Sequence, residues 1–527
     1  MRPGRWSNIH WYIGVATCFL LPNEIAGTSQ PLPGGVHLPI IYHSVYGHGM
    51  IRRSVDGQGV SGLGDFEDIS YSVLVKLGLT TVTLLVDTGS SDLWALSDAC
   101  KNCSNGLPTF PHKRLNYSGV DARLFYGDSF NGQYAFGPIG SATVQLANLS
   151  ISQQYFAAIN DTTTTTTSTL SVGLLGLGFP ESSAIWNALF NHQYPSSSKT
   201  TTSLTSSTRS SHSSTTVTSV KRSSHRPRSL ARISSLVDLA SGMQSLATVD
   251  QLLKTFITYG PLVARMSFSG LLKTPSFTLT LQRDSVQIGG NAGLLSLGEL
   301  PPGVSNSSLT WAQVRGYTVQ EGGIPPSPAA PNETYSLFWE IPIDNVYLDG
   351  TTLPQSTLST GVSLSALVDT GSSLLRGPTD VVASIYKQIS GDDTSPIYDC
   401  STPHILEFEI SGVRFPVDPR DFGWQAFPNS VQKCNASVVG TDPPSKGFLY
   451  AWSLGVPFLK SVLASFHYGN LTNPSVDPPR IGFVSTMPSD AQDLLAQAIK
   501  AANPNFPGML KRMKFCFVEL RTFHSYC

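Results

Sequence analysis

The feature that most constrains this chain is a short motif that occurs twice. The sequence VDTGSSDLW occupies residues 86–94, and a shortened copy, VDTGSSL, occupies residues 368–374. Each copy follows an apolar, β-prone run, so each predicts a strand that delivers an Asp onto a glycine-containing turn. Because the two copies are nearly identical, we interpret them as equivalent parts of a duplicated unit.

A second, weaker repeat supports the duplication. Gly176 of the sequence LLG lies 89 residues after Asp87, and Gly455 of the sequence SLG lies 86 residues after Asp369. Paired motifs seldom recur at matched spacing by chance, which indicates two halves of similar structure. Such an arrangement predicts that the two Asp side chains meet at an interface between the halves.

Two carboxyl groups in close contact form a distinctive chemical unit. Both cannot ionise cheaply, so one keeps a proton and the pair can act as acid and base together. Such a pair can activate a water molecule while it protonates a carbonyl oxygen, so amide hydrolysis requires no metal and no cofactor. A single Asp-Thr-Gly is explained more simply as a turn after a strand. Two copies at matched spacing favour a catalytic pair, Asp87 and Asp369.

Each copy of the motif supplies the same three supporting side chains. The threonines can hydrogen-bond across the interface, and the glycines permit a tight turn whose N–H groups face the carboxylates. The serines can hold the outer carboxylate oxygens. The predicted supporting residues are Thr88, Gly89, Ser90, Thr370, Gly371 and Ser372.

Composition narrows the class of protein. Hydrophobic residues make up 40% of the 527 residues and charged residues only 13%, which favours a β-rich, secreted type of protein over a nucleic-acid binder. The net charge of −1 gives no indication of a polyanionic partner. Residues 195–240 are Ser/Thr-rich, basic and poor in core-forming side chains. We interpret them as a low-complexity insertion, disordered or O-glycosylated. Alternatively, they are intron sequence wrongly retained in the coding sequence.

The N-terminal segment carries targeting signals. Residues 1–27 contain two arginines, a short apolar run and then small residues, which is the pattern of a signal peptide. The run is too short to span a bilayer, so we expect a protein without a membrane anchor, secreted to the exterior or to the vacuole. Arg52 and Arg53 form a candidate dibasic processing site, which would make residues 28–53 a short propeptide. A disordered arm explains this segment equally well.

Sequons and cysteines agree with the secretory route. Asn-x-Ser/Thr sequons begin at Asn116, Asn148, Asn160, Asn306, Asn332, Asn435 and Asn470, among others. Two disulfides fit an oxidising compartment, namely Cys100–Cys103 and Cys400–Cys434. The first pair also matches a redox or zinc motif. Without a second such pair or a histidine cluster, a loop disulfide is favoured.

With these motifs the chain resembles the pepsin-like aspartic endopeptidases over roughly residues 65–487, apart from the insertion. The resemblance implies a mainly β, bilobal fold in which two β-barrel-like lobes flank a central cleft, each with one catalytic Asp. It also implies protein or peptide substrates and a monomer. The lobes would comprise residues 54–285 and 286–490, followed by an unplaced tail at 491–527.

The resemblance also assigns residues to a flap over the cleft. Tyr126 matches the family's flap tyrosine, and Trp94 matches the tryptophan that hydrogen-bonds it. Gly127 and Asp128 would then lie at the flap tip. Asp128 resembles the flap acid of fungal members, which leads to the hypothesis that Lys can bind on the N-terminal side of the cleaved bond.

The resemblance also assigns residues to a substrate pocket. Leu85 and Leu174 match positions that wall an apolar S1 pocket, which predicts large apolar residues beside the cleaved bond. The family's two disulfides fall on the cysteine pairs named above. Arg376 replaces a small polar residue after the second motif and changes the local charge.

The alternative function is an inactive pepsin-fold binding or inhibitor protein. Such proteins usually lose a catalytic Asp, a loop glycine or the flap tyrosine, and this chain keeps all three.

Overall fold

Strands dominate the part of the chain that the computed structural model describes. The described residues are 36–42, 70–101, 103, 106–127, 132–164, 166, 171–195, 249–281, 293–358, 363–427, 431–444 and 449–502. All of them belong to a single compact unit. The predicted signal peptide, most of the predicted insertion and Asp128 lie outside the described residues.

Up to residue 297 the strands are β1 Val36–Pro39, β2 Ile41–Tyr42, β3 Tyr71–Leu77, β4 Thr80–Asp87, β5 Leu93–Leu96, β6 Asn116–Tyr126, β7 Gln133–Leu146, β8 Leu149–Ile159, β9 Asp161–Thr162, β10 Gly173–Gly176, β11 Ser276–Leu281 and β12 Gly293–Leu297. After residue 297 they are β13 Thr310–Gln313, β14 Glu340–Pro342, β15 Asn345–Leu348, β16 Thr351–Thr352, β17 Ser365–Val368, β18 Leu375–Pro378, β19 Ile397–Asp399, β20 Leu406–Ile410, β21 Val413–Pro416, β22 Gly423–Gln425, β23 Lys433–Ala436, β24 Val438–Thr441, β25 Trp452–Leu454, β26 Val462–His467 and β27 Arg480–Ser485.

Helices are short and few within the described ranges. They are α1 Ala184–Gln193, α2 Val249–Tyr259, α3 Leu262–Phe268, α4 Thr379–Ser390, α5 Val456–Leu459 and α6 Ala491–Ala502. Helix α4 illustrates how the sequence sets the bounds, because Val381, Val382 and Ile385 are buried on one face. It ends at Gly391, whose φ of 81° is readily adopted by a residue without a side chain. The predicted mainly β class is confirmed.

The N-terminal lobe is a nine-stranded sheet. Its order is β2-β3-β4-β10-β5-β8-β7-β6, and β9 pairs with β7. Strand β3 also pairs with β7, with Val75 opposite Leu146, so the sheet closes on itself as a barrel. The C-terminal lobe is built from three smaller sheets, β14-β17-β25-β18-β24, β16-β15-β20-β21 and β19-β23-β22.

A six-stranded central sheet joins the two lobes. Its order is β1-β12-β11-β26-β27-β13, so it takes strands from both halves of the chain. The expected lobe boundary at residue 285/286 falls between β11 and β12, which pair with each other through Phe277 and Leu297. The change from one lobe to the other therefore passes through a shared sheet.

Three regions of the chain have a local structure that the sequence analysis did not specify. Residues 144–149 form the turn of the β7–β8 hairpin, because the chain reverses at Ala147 with a φ of 54°. The segment expected as a propeptide or disordered arm contributes β1 and β2, which pair with β12 and β3. The expected tail begins with helix α6, whose Leu495 and Ala498 are buried. Apolar residues at a spacing of three bury one face of that helix.

Candidate active site

Strands β4 and β17 end at the two motif aspartates. Strand β4 pairs in parallel with β10, with Asp87 opposite Gly176. Strand β17 pairs in parallel with β25, with Val368 opposite Leu454, one residue before Asp369 and Gly455. The two pairs have the same register, so the duplication seen in the sequence is also present in the structure.

The two motif loops interlock through their threonines. The backbone N–H of Thr88 donates to Thr370 Oγ1 at 3.0 Å, and the N–H of Thr370 donates to Thr88 Oγ1 at 3.0 Å. Each hydroxyl then donates across the interface, Thr88 to the Val368 carbonyl and Thr370 to the Val86 carbonyl, both at 2.8 Å. Both threonines are buried, so these four bonds fix the loops relative to each other.

Glycine is required in each loop by the carboxyl group of the other loop. A Cβ on Gly89 would lie 2.5 Å from Cγ of Asp369, and a Cβ on Gly371 would lie 2.8 Å from Cγ of Asp87. These contacts place the two carboxyl groups around one small space. Each glycine N–H also donates to the carboxyl oxygen of its own loop at 2.8 Å.

The two carboxyl groups have different surroundings. Ser90 Oγ donates to Asp87 Oδ2 at 2.5 Å, as expected. The expectation for Ser372 was wrong, because its hydroxyl donates to the Leu374 carbonyl at 2.8 Å and turns away from Asp369. Desolvation in the cleft and the negative charge of Asp87 raise the pKa of Asp369, against the lowering effect of the Gly371 N–H. These surroundings favour the protonated form of Asp369.

The predicted flap tyrosine and its tryptophan are in direct contact. Trp94 Nε1 donates to Tyr126 Oη at 2.7 Å, with the rings 6.4 Å apart. Gly127, at the end of β6, has a φ of 82°, which suits a hairpin tip. Trp94 itself is fully buried, so it fixes the tyrosine from the core side.

The predicted pocket residues and disulfides also have definite positions. Leu85 lies directly opposite Leu174 in the β4–β10 pair, two residues before Asp87. They therefore share a face of the sheet with that carboxyl group. The structure contains the disulfides Cys100–Cys103 and Cys400–Cys434.

Asp92, within the first motif, is a buried residue whose role the sequence did not reveal. Its carboxylate accepts hydrogen bonds from Ser183 Oγ at 2.6 Å and from the N–H groups of Ala184 and Ile185 at 3.0 Å. It therefore caps the N-terminus of α1 from a distant point in the chain, which favours a negative charge there. Ser183 before an apolar helix was the available signal, but its partner is 91 residues away.

We expect Thr370→Val to destabilise the folded protein by roughly 2–4 kcal/mol, since it leaves the Thr88 N–H and the Val86 carbonyl buried and unpaired. Thr370→Ser keeps the hydroxyl and should cost less. Urea unfolding measures both. Thr81→Val, on the exposed side of β4, is the matched control, and equal effects of the two valine substitutions would contradict the interlock.

Glu181 leads to a prediction about pH. It is fully buried beside α1, and its Oε2 has no hydrogen-bond partner among the described residues. Burial raises the pKa of Glu181 to about 8, so the folded state holds a proton that the unfolded state releases above the ordinary value of 4.5. Stability should therefore fall as the pH rises between these two values, and Glu181→Gln should remove this contribution.

Urea unfolding at pH 5 and pH 7 checks this expectation. The loss of stability between these pH values should shrink in Glu181→Gln by up to roughly 3 kcal/mol relative to the wild type. Asp393→Asn, at an exposed turn, controls for the loss of one carboxyl group. An unchanged pH dependence in Glu181→Gln would contradict the assignment.

Two carboxyl groups that face each other across a symmetric pair of loops, in a bilobal β fold, define an aspartic-type hydrolase. The sequence pattern of the family described as eukaryotic aspartyl protease matches residues 70–195 and 213–475. The chain belongs to this family and is a pepsin-like aspartic endopeptidase.

Individual relatives agree with the family. The major aspartyl peptidase 1 of Cryptococcus neoformans var. grubii is 21% identical over 459 residues, which is 83% of this chain and 71% of the relative. Mouse cathepsin E is 23% identical over 422 residues, covering 77% of this chain and 79% of the relative. Rhizopuspepsin-2 of Rhizopus niveus is 37% identical over a shorter stretch of 132 residues, 24% of this chain and 33% of the relative.

Proposed function

We propose that this protein is a secreted, acid-active endopeptidase in which Asp87 and Asp369 jointly activate a water molecule. The observation that carries the proposal is the reciprocal fit of each loop glycine to the opposite carboxyl group. This fit brings the two carboxyl groups together at the ends of equivalent strands. Such a pair can supply a base and an acid to the same peptide bond.

The hydrogen bonds favour one distribution of roles. Ser90 and Gly89 donate to Asp87, which stabilises its ionised form. Asp87 then accepts a proton from the attacking water, and the neutral Asp369 donates a proton to the carbonyl oxygen of the scissile bond. The tetrahedral intermediate collapses when Asp87 passes its proton to the leaving nitrogen and the C–N bond breaks. Asp369 then recovers a proton from a hydroxyl group of the intermediate, which restores both carboxyl groups. The flap around Tyr126 closes over the peptide and excludes bulk water.

Substrate preference follows from the walls of the cleft. Leu85 and Leu174 present an apolar surface on the same face as Asp87. We therefore expect large apolar or aromatic side chains beside the cleaved bond. The hypothesis that Asp128 admits Lys is separate, and cleavage after Lys by the wild type and by Asp128→Ser tests it.

The proposed route is secretion with glycosylation. The structure contains no membrane-spanning helix among its described residues. The sequon asparagines that are exposed are Asn116, Asn148, Asn160, Asn306 and Asn332. Asn435 and Asn470 are only partly exposed, and the Asn470 side chain accepts hydrogen bonds within its own turn. We expect glycans on the exposed group, which mass spectrometry after enzymatic deglycosylation would detect.

The proposed propeptide has a defined place in the fold. Strand β1 is an edge strand of the central sheet. His37 Nδ1 lies 2.8 Å from Ser296 Oγ, and His37 Nε2 lies 3.1 Å from Glu299 Oε1. Cleavage after Arg53 would therefore separate β1 and β2 from the chain while leaving their sheet contacts in place. Mapping the termini of the mature protein would show whether this cleavage occurs.

A peptide-cleavage assay at acid pH tests the proposed function directly. The purified full chain should cleave peptides with apolar residues on both sides of the bond, and a statine-type inhibitor should block the cleavage. An inactive binding protein would bind such peptides without cleaving them. The absence of cleavage across a peptide library would overturn the proposal.

A further inference from the structure

The duplication assigns Arg376 a position equivalent to that of Trp94. Arg376 follows Asp369 by the same seven residues that separate Trp94 from Asp87. In the N-terminal lobe, Trp94 lies opposite Leu174 in the β5–β10 pair. In the C-terminal lobe, Arg376 lies opposite Ser453 in the β18–β25 pair. The same framework thus carries an aromatic ring in one lobe and a guanidinium group in the other.

Strand register places Arg376 on the face that carries the catalytic carboxyl group. Leu367 lies opposite Ser453 in the β17–β25 pair, and Ser453 lies opposite Arg376. Residues directly opposite each other share a face of the sheet, and so do residues two apart in one strand. Leu367 is two residues before Asp369. All four side chains therefore belong to one face of the sheet.

The neighbouring glycine identifies the opposite face. A Cβ on Gly377 would lie 2.5 Å from the ring of Trp452, a buried side chain of the C-terminal core. Because side chains alternate along β18, Arg376 points away from that core. Its side chain is partly exposed on the face of the sheet that carries Asp369, and its positive charge lowers the pKa of that carboxyl group.

The two equivalent surfaces differ in chemistry. On the N-terminal side, Leu85, Leu174 and Trp94 are apolar or aromatic, and Trp94 is bonded to the flap tyrosine. On the C-terminal side, Ser453 replaces the leucine. The Ser453 hydroxyl is buried and has no hydrogen-bond partner within the described part of the chain. A guanidinium group on a partly exposed face, in place of the aromatic ring of the other lobe, suits a negatively charged ligand group.

We propose that Arg376 is a specificity-determining residue that receives a carboxylate side chain of the substrate. The enzyme then prefers Asp or Glu over Asn or Gln at one substrate position near the cleaved bond. A guanidinium group presents several N–H donors in a planar fork, so it can hold a carboxylate and keep other contacts. The inference rests on the proposed peptidase function and adds a polar subsite to the apolar one.

Matched peptides test the proposal. Each peptide carries Asp, Asn, Glu or Gln at one position, and the position is moved from three residues before the cleaved bond to three residues after it. Values of kcat/KM are measured at about pH 5, where peptide carboxylates are mostly ionised. We expect wild type to prefer the acid over its amide by roughly tenfold at one position, the usual scale for a charge-assisted hydrogen bond.

The variants give a ratio that is independent of overall activity. Arg376→Gln should reduce the acid-to-amide ratio to about one, and Arg376→Lys should retain part of it because the charge remains without the planar fork. Arg414→Gln, which removes a guanidinium group that lies against Tyr347, should leave the ratio unchanged.

The outcomes separate this inference from the proposed function. A wild type that cleaves the peptides without an acid preference at any position overturns the role of Arg376 alone. An acid preference that survives in Arg376→Gln also overturns the role of Arg376 and leaves the peptidase proposal intact. A wild type that cleaves none of the peptides overturns the peptidase proposal and this inference with it.

Discussion

Asp87→Asn is expected to lower kcat by at least about 10³-fold, because an amide cannot accept the proton of the attacking water. The side chain keeps its shape, so KM should change little. Ser90 Oγ and the Gly89 N–H can still donate to the remaining carbonyl oxygen. Steady-state kinetics on apolar peptides at acid pH measure both constants.

Two controls make the Asp87→Asn result decisive. Asp393→Asn makes the same chemical change at an exposed turn and should leave kcat unchanged. Titration with a statine-type inhibitor counts functional sites and detects contaminating wild-type enzyme. Activity of Asp87→Asn within tenfold of the wild type would contradict the paired-carboxylate mechanism.

Gly89→Ala is expected to be nearly as damaging, although it removes no functional group. The added methyl group would lie 2.5 Å from Cγ of Asp369, well inside van der Waals contact, so the opposite carboxyl group must move. Displacement of a catalytic group by about 1 Å commonly costs 10²-fold in rate. We therefore expect kcat to fall by roughly that factor or more, with a smaller effect on stability.

The matched control for Gly89→Ala is Gly303→Ala. Gly303 has a φ of 84° and open space around it, so alanine there introduces backbone strain without a clash. It should lower the midpoint of urea unfolding and leave kcat unchanged. A Gly89→Ala enzyme with normal kcat would show that the two carboxyl groups are farther apart in solution than the loop geometry requires.

The residues at the centre of the proposed site could be named from the sequence because the signals there are local. Each motif by itself predicts a strand, a turn and the Asp at that turn. The repetition of the motif predicts that the two Asp residues lie close together. The role of Ser372 could not be predicted, because the choice between Asp369 and the Leu374 carbonyl depends on a rotamer set by packing. Arg376 was recognised as a change in charge, but its neighbour Ser453 became visible only through the pairing of β18 with β25.

Some details of the fold could not be predicted from local sequence patterns. The apolar pattern of residues 144–149 continues through the two-residue turn between β7 and β8, which periodicity alone does not resolve. Strand β1 looked like part of a polar, Gly-rich arm because its partner, β12, lies more than 250 residues later. Helix α6 follows the last strand, and only the hydrophobic surface that it covers shows that it belongs to the folded body.

The threonine interlock also has a consequence for the order in which the protein matures. Thr88 and Thr370 are 282 residues apart, and β26 joins β11 only after most of the chain has left the ribosome. Contacts over such separations form slowly, because the chain between the two residues must lose conformational entropy before the contact can stabilise it. A chain that ends before Asp369 lacks the second carboxyl group, so under the proposed mechanism it should have no peptidase activity. The proposed catalytic centre is therefore expected to form late, once both lobes are present.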